Sequence, residues 1–198
     1  GIPEIFGPDH QDALFAPNIV GAMADAIEAA ECWAAAIDCL DGPVSLVFAR
    51  QAVPPVRLTP SPGNLCARGA YVLAEGEGGP RRVTLLATGS EVALAVQARA
   101  LLQSEGISTA VVSMPCWEAF EAQDLAHRQQ VLGPGSLRVG VEAAVRLGWD
   151  RWLGEGGAFV AIEAKALREG NKLQERFRSG ETIERVHIDE RECTYLFK

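Results

Sequence analysis

Few stretches of this 198-residue chain place chemically useful side chains at informative spacing. Thr88-Gly89-Ser90 closes an apolar run and opens a helical pattern. Free N–H groups at a helix start attract anions. Ser90 is equally a favoured cap residue, and Glu91 suits the positive end of a helix dipole. The stretch contains neither GxGxxG nor GKS/GKT, so capping is the reading adopted. His10 lies in GPDHQ, a polar loop where an imidazole suits proton transfer near neutral pH or simply faces solvent. Arg50 follows the apolar run VSLVFA. The end of a buried strand is where α/β sheets place ligand contacts, and a guanidinium suits bidentate phosphate binding. A solvated strand end is the alternative. His127 and His187 lie in no cluster at metal-ligand spacing and read as structural or solvated. Glu142 closes LRVGVE, a position open to an acid or base. Trp117, Trp149 and Trp152 are irregularly spaced and read as packing residues.

Composition narrows the classes. The net charge of −8 argues against nucleic acid or an anionic membrane surface as partner. Residues 164–198 differ, with eight Lys/Arg against seven Asp/Glu. The five cysteines (Cys32, Cys39, Cys66, Cys116 and Cys193) are odd in number and form no CxxC. Reduced thiols and a cytoplasmic location are therefore expected, with no metal site. No apolar run reaches the ~18 residues of a membrane span, and residues 1–20 lack the pattern of a signal peptide.

The elements that must position these residues follow from periodicity. Residues 1–20 read as irregular. A helix is expected over 24–40, with Ile27, Ala30, Trp33, Ala34 and Ile37 forming its buried face. VSLVFA, residues 44–49, reads as a strand buried on both faces. A proline-rich stretch follows, and a domain boundary is expected near residue 60. Beyond it, strands are expected in 67–76, 83–88, 107–114, 137–142 and 158–163. Helices fall over 90–105, with Val92, Leu94, Ala95, Ala98, Leu101 and Leu102 on the apolar side, within 116–132 and within 143–157. Strands alternating with helices predict an α/β fold, a mainly parallel sheet with helices on both faces. Residues 164–198 suit an added helix and hairpin.

Together, DGPVSLVFARQAVPP (41–55), LLATGSEVALAVQARALLQSEGISTAVVSMP (85–115) and residues 129–163 resemble the transketolase family, nearly continuously from 24 to 163. The resemblance implies a domain order: residues 1–60 as the end of a pyrimidine-binding domain with its linker, 61–163 as the C-terminal domain, and 164–198 as a divergent tail. It implies ketol transfer between sugar phosphates, with thiamine diphosphate and Mg²⁺ bound by domains not found in these residues. Arg50 matches the family's substrate-phosphate arginine. His10 matches a substrate-contacting, catalytic histidine, although Phe6 stands where the family has aspartate and Asp9 where it has threonine. The expectation is a fragment or remnant that is non-catalytic alone and binds no cofactor by itself. It has a protein partner or forms a homodimer. The alternatives are a subunit completed by another chain, or a docking subunit using its tail.

Overall fold

The computed structural model describes residues 19–40, 42–49, 52–57, 61–143 and 145–162. A five-stranded sheet dominates, built from β3 (Tyr71–Ala74), β4 (Val83–Ala87), β5 (Thr109–Ser113), β6 (Leu137–Glu142) and β7 (Ala158–Ala161). Their order is β3-β5-β4-β6-β7. β4, β5, β6 and β7 are parallel, and β3 is an antiparallel edge paired with β5. A smaller unit precedes it: β1 (Ile19–Ala22) pairs in parallel with β2 (Val44–Val47) across helix α1 (Ala26–Asp38).

The order of strands places the helices. From β4 the chain crosses to β5 through α2 (Glu91–Ser104), then returns past β4 to β6 through α3 (Trp117–Glu121) and α4 (Leu125–Leu132). It continues to β7 through α5 (Asp150–Leu153). Crossovers keep one hand, so reversing direction along the sheet moves the helices to the opposite face. Alternation along β4 supplies both cores. Leu85 and Ala87 pack with Val92, Ala95 and Val111 under α2, while Leu86 packs with Val112, Phe120, Leu132, Trp149 and Trp152 under α3 to α5. The three tryptophans are packing residues, as expected: Trp117 lies edge-on to Trp149 with centroids 4.9 Å apart. The expected α/β fold with helices on both faces is the fold observed.

Three local expectations need correction. The buried residues of α1 are Glu28 and Cys32, whereas Trp33 and Ile37 are 54% and 72% exposed. Its buried face is therefore rotated away from the apolar stripe. β2 is not buried on both faces, because half-buried and exposed residues alternate along it. In α2 Leu101 falls outside the buried stripe, being 69% exposed, whereas Ala98 and Leu102 on either side of it pack on the core. Residues 164–198 lie outside the described residues, as do His187 and Cys193.

Candidate functional site

Both side chains expected to meet substrate, His10 and Arg50, lie outside the described residues. What the structure describes is the platform around them. β2 ends at Val47, three residues before Arg50 in sequence. The C-terminal ends of β1, β4 and β5 meet. Ala22 N–H donates to Pro115 O at 2.9 Å, and Met114 N–H donates to Ala87 O at 2.9 Å. A cleft of about 170 Å³ lies there, lined by Ala22, Thr88, Met114, Pro115, Trp117 and Glu118.

The turn above β4 is not a phosphate cradle. Gly89 takes φ +57°, which lets the strand turn tightly into α2. Ser90 occupies the cap position, but its side chain makes no capping hydrogen bond. Its hydroxyl donates instead to Glu91 Oε1 at 2.8 Å. The expected cap is thus corrected: Ser90 has helical φ and ψ, whereas a capping side chain needs extended backbone to reach back to the first turn. Cys116 accepts from Ala119 N–H at 3.4 Å and caps α3. Burial pushes its thiol up to about 11, so it stays protonated at neutral pH and is no nucleophile.

The most organised polar cluster is one that periodicity missed. Asp25, Glu28 and Glu31 recur every three residues along the start of α1. Asp25 caps the helix, its Oδ1 accepting from Glu28 N–H at 2.8 Å, while its Oδ2 accepts from Arg57 N–H at 2.9 Å and Val56 N–H at 3.2 Å. Glu28 is completely buried. Its carboxylate accepts from Tyr71 OH at 2.7 Å, Ser113 Oγ at 2.5 Å and Ala24 N–H at 2.7 Å. Glu31 binds Arg57 NH1 at 2.9 Å and the N–H groups of Leu65 and Cys66. The Arg57 guanidinium also lies over the Tyr71 ring, 5.0 Å from its centroid.

Burial raises the Glu28 pKa above the ordinary carboxylate value, against the lowering effect of its bonds from Ser113, Ala24 and Tyr71. Burial pulls Glu31 the same way, but the Arg57 bond and the Cys66 contacts outweigh it and hold that carboxyl low. The Tyr71 phenol is raised by burial and by the Glu28 charge. These are anchoring groups, stapling α1 to β3, β5 and the segment before β3. The signal in the sequence was D-x-x-E at a helix start, the spacing of a capping box.

The described residues do not fit a diphosphate cofactor with its metal. The cleft at the strand ends carries one carboxylate and no cationic side chain. No group of three His, Cys, Asp or Glu among the described residues is placed to hold an ion. The described cysteines are free thiols, and His127 sits beside Arg68, with Nδ1 and NH1 3.2 Å apart. No helix among the described residues is long and apolar enough to cross a membrane.

Comparison with known proteins matches residues 69–164 to the transketolase-like C-terminal domain. A second, shorter match places residues 153–183 with the elongation factor P KOW-like domain, so both claim β7. The transketolase of Sinorhizobium medicae is 52% identical over 164 residues, covering 79% of this chain and 23% of that protein. The transketolase of Rhodobacter capsulatus is 52% identical over 146 residues, covering 71% of this chain and 22% of that protein. Among solved structures, transketolase from Leishmania mexicana superposes with a TM-score of 0.63 at 33% identity, over 78% of this chain and 22% of that one. A split-gene transketolase described as an inactive β4 tetramer superposes at 0.58 and 25% identity, over 78% of this chain and 52% of that one. The chain thus spans about a quarter of the length of the curated relatives it matches.

Proposed function

The chain belongs to the transketolase family through its C-terminal domain, residues 69–164, and on that premise we propose that it is a structural component of a ketol-transferring assembly. In this reading it supplies the platform for a substrate-binding strand and does not transfer ketol units by itself. The observation that carries the reading is the acidic staple. Asp25, Glu28 and Glu31 tie the β1–α1–β2 unit to the segment before β3 through Arg57 and to the sheet through Tyr71 and Ser113. That unit precedes Arg50 in sequence, the residue we assign to substrate phosphate, with His10 as a second substrate contact. A strand presented to a sugar phosphate must be held rigidly, because misplacing a binding group by ~1 Å costs up to ~100-fold in rate.

Thiamine diphosphate and Mg²⁺ would be held by domains of another chain, and the protein would work in the cytoplasm. The split-gene relative supports this division, since it is a split-gene transketolase whose β4 tetramer is inactive. Calorimetry with thiamine diphosphate and Mg²⁺ tests the reading. No heat of binding is expected from this chain alone, and tight binding would overturn it. Once the chain is completed by the upstream domains, Arg50→Ala should raise KM for sugar phosphates more than it lowers kcat.

The match of residues 153–183 to a KOW-like domain favours a second reading, in which the basic and acidic tail docks the chain on a larger assembly. Deleting residues 164–198 and repeating a pull-down from native cells decides it: partners retained after deletion exclude the tail as the docking element.

A further inference from the structure

We propose that Cys32 and Cys66 form a redox-sensitive latch, in which hydrogen peroxide joins them by a disulfide and ties α1 covalently to the segment before β3. The latch goes beyond the functional reading above and stands whether or not the chain takes part in ketol transfer.

Both side chains are buried and pack in one cluster with Met23 and Tyr71. They come from different parts of the chain. Cys32 sits on α1, and Cys66 opens a short 3-10 turn, Cys66–Arg68, thirty-four positions later. Glu31, the residue before Cys32, clamps the two backbones together. Its carboxylate accepts from the N–H groups of Leu65 at 3.1 Å and Cys66 at 3.2 Å, and its carbonyl accepts from Asn64 Nδ2 at 2.7 Å. The two thiols meet in a hydrogen bond beside this clamp. A disulfide needs two sulfurs on backbones already held close, and the clamp supplies that. The other described cysteines are engaged elsewhere. Cys116 Sγ caps α3 by accepting from Ala119 N–H at 3.4 Å and lies 3.7 Å from Glu118 Oε2, while Cys39 Sγ lies 3.9 Å from Gly42 O beyond the end of α1.

The step balances with hydrogen peroxide as the oxidant. One sulfur, as thiolate, attacks a peroxide oxygen. The O–O bond breaks, the released hydroxide takes up a proton as water, and a sulfenic acid remains. The second sulfur gives up its proton, attacks the sulfenic sulfur and expels its hydroxyl as a second water. Two electrons pass from the thiol pair to the peroxide, and one S–S bond replaces two S–H bonds. At rest the pair is guarded. The bond with Cys32, then burial and the Glu28 charge, push the Cys66 thiol up, so it stays protonated. Oxidation therefore follows local opening of the contact between α1 and the turn. Conditional disulfides suit a reducing compartment, where permanent ones are rare. The bond would close a loop that contains β2, whose end leads to Arg50, and so fix the β1–α1–β2 unit on the sheet domain.

The test takes the full chain, reduced and freed of reductant, and exposes it to hydrogen peroxide in native buffer. Remaining thiols are then blocked, and the unreduced digest is read by mass spectrometry. A peptide pair linked through Cys32 and Cys66 is expected, with two of the five thiols lost. The melting temperature should rise by about 5 °C or more, because the bond restricts the unfolded chain, and should return when dithiothreitol is added. A variant carrying Cys39→Ala and Cys193→Ala should show the same rise. Cys32→Ala or Cys66→Ala should abolish it, and the linkage map of the unaltered chain decides the matter if either variant fails to fold. Four results would overturn the proposal: both thiols left free, links to Cys39, Cys116 or Cys193 in place of the pair, a link formed only in urea-unfolded protein, or a linked protein whose melting temperature is unchanged or lower.

Discussion

Glu28→Gln is the sharpest probe of the staple. The side chain has no exposed surface, and three donors converge on its carboxylate. Glutamine keeps the shape and one acceptor oxygen, which can still take the Tyr71 and Ser113 hydroxyls. Its amide nitrogen then meets Ala24 N–H donor to donor. One buried N–H is left unpaired, a loss of ~1–3 kcal/mol. The carboxyl of the wild type carries a pH dependence that the amide lacks. Its folded pKa is raised above the ordinary 4.5, chiefly by burial. The folded state therefore holds this proton more tightly than the unfolded state. The stabilisation is fully present below pH ~4.5 and is lost as pH rises through the folded pKa. Urea unfolding of both proteins at steps from pH 4.5 to 8 measures the difference. At the acid end the variant should be less stable by ~1–3 kcal/mol. That gap should narrow with rising pH, because only the wild type must then bury a charge. Asp25 adds to the effect as a neighbouring negative charge. Parallel pH profiles, with a constant gap across the range, would show that Glu28 does not titrate in this window and would refute the argument. Ser113→Ala gives an independent check, since removing one donor should raise the folded pKa further and steepen the wild-type slope.

Three other outcomes are expected. Asp25→Ala removes the cap of α1 and the acceptor for Arg57 and Val56 N–H, and should cost ~2–4 kcal/mol, read as a lower urea midpoint at unchanged slope. Gly69→Ala should cost ~3 kcal/mol or more and sharply reduce soluble yield, because φ is +80° and the new methyl would overlap the backbone of Cys116 and Phe120. Ser90→Ala should shift the melting temperature by no more than the change of ~0.5 kcal/mol typical of surface positions, since its hydroxyl bonds only Glu91 and caps nothing; a loss above ~1 kcal/mol would restore the capping reading.

The sheet domain was legible because its signals are local. VTLLA, TAVVS and LRVGVE are apolar runs bounded by turns, and positive-φ glycines at 106 and 133 end the helices that join them. The turn at Thr88-Gly89-Ser90 was legible as a strand-to-helix joint, but not in its bonding, because a hydroxyl's choice between a backbone N–H and Glu91 depends on torsion angles. The site was hardly legible at all. His10 and Arg50 rest on resemblance and lie outside the described residues. The acidic staple went unread because its acids look like an ordinary solvated helix start.

By itself, then, the sequence determined the alternation of strands and helices, the hydrophobic stripe under α2 and the family likeness, since each depends on neighbours a few residues apart. Only the tertiary structure decided which face of α1 turns inward. Periodicity pointed to Trp33 and Ile37. Three carboxylates with donors waiting 26 to 85 residues away in sequence turned the helix the other way. Local pattern ranks faces by apolarity. A buried carboxylate with all its bonds made can outweigh that ranking, and the apolar face with Trp33 and Ile37 is left exposed.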